Sequence, residues 1–122
     1  MDQAASAVDF LQRCARGEVA AAFARHIAEG FVHHNPHFAH DREALLRAME
    51  AAAAAEPGNA LEVRQVLADG DRVAVFSRLR RAASGPDMAV AHLLRFEGGR
   101  IVELWDLAQP VPADAANALG MF

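Results

Sequence analysis

The residues of this 122-residue chain that could do chemistry are few: six histidines, one cysteine and a carboxylate set in an apolar run. Asp106 follows Ile101, Val102, Leu104 and Trp105 and precedes Leu107, so its charge falls where the neighbouring side chains favour burial. An unpaired carboxylate is costly in such a place, which points to a partner or a task. His92 stands in the preceding apolar stretch. A carboxylate beside an imidazole holds the ring's tautomer and raises its basicity, which suits general acid–base work near neutral pH. His34 and Asn35 form a second polar group: His34 could exchange protons with a ligand carbonyl or hydroxyl. Asn35 would orient it or cap the local turn, since Asn before Pro starts turns.

His33, His34, His37 and His40 lie within a short span and invite a metal reading, histidine being the commonest metal ligand. Adjacent strand residues point to opposite sides, however, and no carboxylate or cysteine stands at a recognised spacing from them. Loop histidines, with no metal, are the expectation. Cys14 has no second cysteine for a disulfide or a zinc cluster, and reads as a small buried hydrophobe.

The elements that must position these groups divide the chain in two. To about Glu56 it is alanine-rich, with apolar residues three or four apart. Val8, Leu11 and Ala15 mark one helix, and Val19, Phe23 and Ile27 a second beyond Gly17. After Gly30 a short β-prone piece, Phe31 to Asn35, is stopped by Pro36. Asp41 is a candidate N-cap for a third helix bearing Leu45, Ala48, Met49 and Ala52. Pro57-Gly58-Asn59 ends it. The second half reads as a four-strand meander over Leu61–Ala68, Arg72–Arg81, Met88–Phe96 and Arg100–Ala108. Asp69-Gly70, Ser84-Gly85-Pro86 and Gly98-Gly99 supply the turns. Helices first and antiparallel strands later predict an α+β domain spanning residues 1–122.

The Gly98-Gly99 hairpin decides which residues share a face. A two-residue turn would pair Phe96 with Ile101 and put His92 opposite Trp105. A three-residue loop with Gly99 in a bulge pairs Phe96 with Arg100, puts His92 opposite Leu104, and leaves Asp106 its diagonal neighbour. The second register groups Val90, His92, Leu94, Val102, Leu104 and Asp106 on one face and Arg95 with Glu103 on the other. That partition is cleaner and is the one expected. Trp105 then points away from Asp106. The alternation of Val73, Val75 and Leu79 with Ala74 and Phe76 leaves neither sheet face polar, and large apolar faces mark interfaces. A homodimer through the sheet is expected.

Twelve arginines and no lysine against 16 acidic residues give a formal charge of −4, which argues against a nucleic-acid-binding face. A hydrophobic content of 53% excludes extended disorder. No apolar run approaches the roughly 20 residues of a membrane span, and Met1-Asp2-Gln3 opens no secretory signal. A soluble, cytoplasmic protein is expected.

His33-His34-Asn35-Pro36, His92-Leu93-Leu94-Arg95-Phe96, the run Gly99 to Asp106 and Gln109-Pro110 together resemble the SnoaL-like branch of the NTF2-like superfamily. That branch often shows Gln-His-Asn-Pro early, then Gly-Lys-Ile-Val-Glu-His-Trp-Asp and Gln-Pro. The resemblance spans nearly the whole chain. It implies a cone-shaped α+β barrel in which the N-terminal helices pack on a curved antiparallel sheet and close a deep apolar pocket, commonly in a dimer. The superfamily includes polyketide cyclases, ketosteroid isomerases, dehydratases, epoxide hydrolases and binding proteins, so fold alone does not decide function. The base, tyrosine and neutral aspartate of a ketosteroid isomerase fall on Asn35, Phe10 and His92, which argues against steroid isomerisation. The resemblance to the cyclases puts their acid/base aspartate on Asp106 and their histidine on His34. The histidine that usually precedes Trp-Asp is Leu104 here, and His92 stands where aspartate is common, as if the polar pair were exchanged between strands. Asn35, Phe10, Phe31, Leu104 and Val90 are the expected ligand contacts. Two readings stay open: a cofactor-free acid/base enzyme (cyclase, isomerase or dehydratase type) acting on an apolar carbonyl compound, or a non-catalytic binding or dimeric structural protein.

Overall fold

A computed structural model describes residues 1–83 and 85–122. Helix α1 spans Gln3–Ala15 because Asp2 caps it, its carboxylate accepting from the Ala5 N–H at 2.7 Å. Ser6, Ala7, Phe10, Leu11 and Cys14 recur on its buried stripe. Gly17, at φ 91°, ends it in the left-handed region that favours glycine. Helix α2, Val19–His26, buries Val19, Ala22, Phe23 and His26. It is shorter than the apolar spacing predicts: β-branched Ile27 turns extended (φ −96°, ψ 130°) and opens strand β1, Ile27–His33. Helix α3, Arg42–Ala55, starts at the expected cap, Asp41, which accepts from the Ala44 N–H at 3.2 Å.

The second half folds as the predicted meander: β2 Ala60–Asp69, β3 Arg72–Arg80, β4 Met88–Glu97 and β5 Arg100–Pro110. Of the expected Ser84-Gly85-Pro86 turn, Ser84 lies outside the described residues. The sheet order is β1-β5-β4-β3-β2, and β1 runs parallel to β5. The expected four antiparallel strands are therefore five in a mixed, open sheet. The short piece around Phe31 becomes an edge strand because it lies alongside β5, with a register shift between Ile27 and Val32 where four residues of β1 stand against one of β5. The three helices pack on one face, where Phe10, Phe23, Phe31, Val73, Val75, Leu94 and Ile101 form a core of side chains at most 2% exposed.

A polar clamp holds α1 to α2 beside that core. The Asp9 carboxylate accepts from His26 Nε2 at 2.6 Å and from Arg13 Nε at 2.8 Å, and His26 is only 4% exposed. The His26 hydrogen bond, with Arg13 adding to it against the opposing effect of burial, holds the Asp9 carboxyl below its ordinary range. The folded state thus releases that proton more readily than the unfolded chain. The clamp's contribution is present above the unfolded pKa of about 3.9 and is lost as pH falls through the lower folded value. Asp9→Ala, which leaves a buried imidazole unpartnered, is expected to lower stability by about 1–2 kcal/mol in urea unfolding at pH 7. The difference from wild type should shrink below about pH 3.

Candidate functional site

The site is set by how β4 meets β5. Gly98 and Gly99 both take positive φ (57° and 79°), as a two-residue type I′ turn requires. Glu97 pairs with Arg100 and Phe96 with Ile101. The ladder then slips by one, so that Arg95 faces Glu103 and Val102 is an extra residue on β5. Beyond this bulge Leu94 faces Leu104, His92 faces Asp106 and Val90 faces Ala108. The expected register, with Phe96 opposite Arg100 and His92 opposite Leu104, is therefore corrected. Two glycines close the tight turn without strain, and the bulge lies in β5 rather than at the turn. The correction brings the two ionisable groups from diagonal to directly opposite, a relation that places Cβ atoms about 4.5–5.5 Å apart.

Asn35 completes the group from the end of β1. Its Nδ2 donates to Asp106 Oδ2 at 3.2 Å, while its Oδ1 accepts from the His37 N–H at 3.0 Å across Pro36. One amide thus caps the turn and holds the carboxylate. His33 fixes the loop from beneath: Nε2 donates to the Ala39 carbonyl at 2.7 Å and Nδ1 accepts from the Asn35 N–H at 3.1 Å.

His92 and Asp106 line a cavity of about 330 Å³ between helices α1 and α3 and strands β2 to β5. Leu11, Met49, Leu61, Leu79, Met88 and Val90 give it apolar walls; Glu56, ion-paired with Arg81, and Asn59 stand at its other polar side. Cys14 also lines it, and burial pushes its thiol up to about 12, so it stays protonated. His92 Nδ1 is shielded from solvent with no hydrogen-bond partner among the described residues. Burial pushes the imidazole down to about 4, and the opposing charge of Asp106 offsets only part of that effect. This reverses the expected gain in basicity: at neutral pH the ring is uncharged. A larger depression of about 610 Å³ beside Glu29, His40, Asp41 and Glu43 is more open, and those four side chains face solvent.

The other expected contacts are dispersed. His34 lies on the outer sheet face, not at the cavity. It stacks on Trp105 with centroids 4.7 Å apart, bonds Glu103 Oε2 through Nε2 at 2.7 Å, and is 46% exposed. The reason is strand alternation: Phe31 enters the core, so His33, two residues on, also points inward and His34 outward. The phase of Phe31 was the available signal. Phe10, Phe31 and Leu104 fill the core and do not line the cavity; of the expected apolar contacts, Val90 does. Among the described residues no three His, Cys, Asp or Glu side chains converge as metal ligands. Ser77, buried on β3 and without a hydrogen-bond partner among the described residues, carries no signal in the sequence that marks it.

Solved structures define the class. The protein has the NTF2-like α+β fold, three helices on an open five-strand sheet, and shares it with AclR, a candidate hydroxylase from Streptomyces galilaeus (22% identity, TM-score 0.74, 86% of each chain covered). IdmH, a candidate polyketide cyclase from Streptomyces antibioticus, is similar (21%, 0.73, 88% of this chain and 93% of that one). So is a candidate isomerase of the SnoaL-like family from Agrobacterium tumefaciens (15%, 0.72, 89% and 99%). No curated protein sequence matches. The model of the SnoaL-like domain matches residues 7–104, and the chain belongs to that family.

Because folded His92 takes up its proton only near pH 4, while an unfolded histidine does so near about 6.5, the unfolded chain binds more protons between those values. Stability from this group therefore falls as pH drops through that window. Urea unfolding of His92→Phe between pH 7 and 4 should give a flatter pH dependence than wild type.

Proposed function

We propose that the protein binds a small apolar carbonyl compound in the 330 Å³ cavity and moves a proton on it without a cofactor. The observation that carries this reading is a carboxylate directly opposite an uncharged imidazole, both at the wall of an apolar cavity. Asp106 takes the proton from the carbon next to the carbonyl. Asn35 holds the carboxylate oriented through Oδ2. His92, neutral, donates a hydrogen bond to the carbonyl oxygen as negative charge develops there, the place where a fixed donor helps most. Roles suggested for two structural relatives, a candidate polyketide cyclase and a candidate isomerase, agree with chemistry beside a carbonyl. The cavity lies near the small end of ligand sites, which favours one- or two-ring compounds over a four-ring steroid.

Proton abstraction is read as exchange of the α-hydrogens of a bicyclic ketone such as 2-tetralone, or of a cyclic 1,3-diketone, in D₂O by NMR. Wild type is expected to exceed buffer, and Asp106→Asn to lose at least about a hundredfold while affinity changes only a few-fold. Binding without exchange would leave a carrier protein; exchange untouched by Asp106→Asn would remove the carboxylate from the mechanism.

We also propose that a second copy covers the outer sheet face. Leu67 and Leu107 are 66% and 79% exposed there, beside Phe76, Leu93 and Trp105. Light scattering should give about 26 kDa, twice the 13.1 kDa chain, and Leu107→Glu should return it to one chain's mass. A monomer at micromolar concentration overturns this. None of the described helices is long and apolar enough to cross a membrane.

A further inference from the structure

Ser77 interrupts the inner row of β3, where Val73 and Val75 are buried and Leu79 follows. It is 0% exposed, and its Oγ has no hydrogen-bond partner among the described residues. Valine would fill such a position without a hydroxyl to satisfy, so a serine there asks for an explanation. The register supplies a candidate. Val75 faces His92 and Ser77 faces Val90, which makes Ser77 the diagonal neighbour of His92 on the same face, a separation of about 7–8 Å that an aromatic ring such as the imidazole can span. Among the described residues, His92 Nδ1 is another buried polar atom on this face with no partner. Ser77, His92, Asp106 and Asn35 thus form a polar row across β3, β4, β5 and the end of β1.

The two atoms are chemically complementary. A serine hydroxyl can donate to an unprotonated ring nitrogen. The reverse arrangement, an Nδ1–H donating to Oγ, would leave the hydroxyl hydrogen buried and unused, and orphaned donors are the rarer fault in proteins. We propose that Ser77 is the positioning residue of His92: rotation about its Cα–Cβ bond carries the hydroxyl from its unpartnered position to donate to the equally unpartnered Nδ1, which fixes the ring proton on Nε2. His92 then meets the cavity as a hydrogen-bond donor. The ligand atom it selects is an acceptor, a carbonyl or enolate oxygen, rather than a hydroxyl or amine that must donate. This deepens the function proposed above and rests on it for the identity of that ligand atom.

Long-range ¹H–¹⁵N correlation spectra of uniformly ¹⁵N-labelled protein read the tautomer with no ligand present, the His92 signals being assigned by their loss in His92→Gln. Wild type at pH 7 is expected to show Nδ1 unprotonated and Nε2 protonated. Ser77→Ala should shift the ring toward a mixture of tautomers, and Ser77→Thr should restore the wild-type pattern. A wild-type spectrum with the proton on Nδ1 overturns the proposal even if neither variant folds; an unchanged spectrum in folded Ser77→Ala does so too. The expected spectra in a protein that neither binds nor exchanges a ketone would retire the proposed function and leave Ser77 as the residue that sets the tautomer.

Discussion

One extra residue in β5 governs the geometry of everything at the cavity. Without the bulge at Val102 the tight turn would set His92 against Trp105, and Asp106 would face the other way; with it, imidazole and carboxylate stand opposite each other on the inner face. The same slip puts Glu103 opposite Arg95, where a 2.9 Å ion pair forms on the outer side, and leaves Leu104 in the core. A period-2 element tolerates no partial error: a shift of one residue moves every following side chain to the other face. The bulge is thus a functional feature as much as a backbone one.

Burial then decides what that pair can do. Coulomb attraction from Asp106 favours a charged imidazole, yet the oily surroundings oppose it more strongly, and the ring is neutral at physiological pH. A neutral histidine offers a fixed donor or acceptor instead of a charge, and the division of labour follows: proton acceptance belongs to the carboxylate, hydrogen bonding to the ring. Asn35 extends the row by serving two needs at once, since its carbonyl oxygen ties down the turn around Pro36 while its amide holds Asp106. Loop and site are for that reason a single construction.

The two sheet faces divide the remaining chemistry. Adjacent His33 and His34 part company, the first locked to the Ala39 carbonyl in the interior, the second stacked on Trp105 outside, where the Arg72 guanidinium lies 5.4 Å from the indole centroid. Histidines crowded in sequence are thereby kept apart in space.

Much of the architecture is local and was therefore readable from residue order alone. Asp2 and Asp41 cap helices, paired glycines turn strands, and alternation marks β2 to β5, because caps, turns and pleats depend on neighbours a few positions away. Asp106 stood out for the same reason, as a charge inside an apolar run. What sequence could not settle depended on partners far along the chain. Ile27 left its helix for an edge strand because β5, some seventy residues on, offers hydrogen bonds there. Only the packed sheet could select the bulge, turn His34 outward, put Ser77 beside His92 and make burial outweigh charge at the imidazole. Those outcomes follow from which atoms surround a group, a property of the assembled fold and not of any short stretch of sequence.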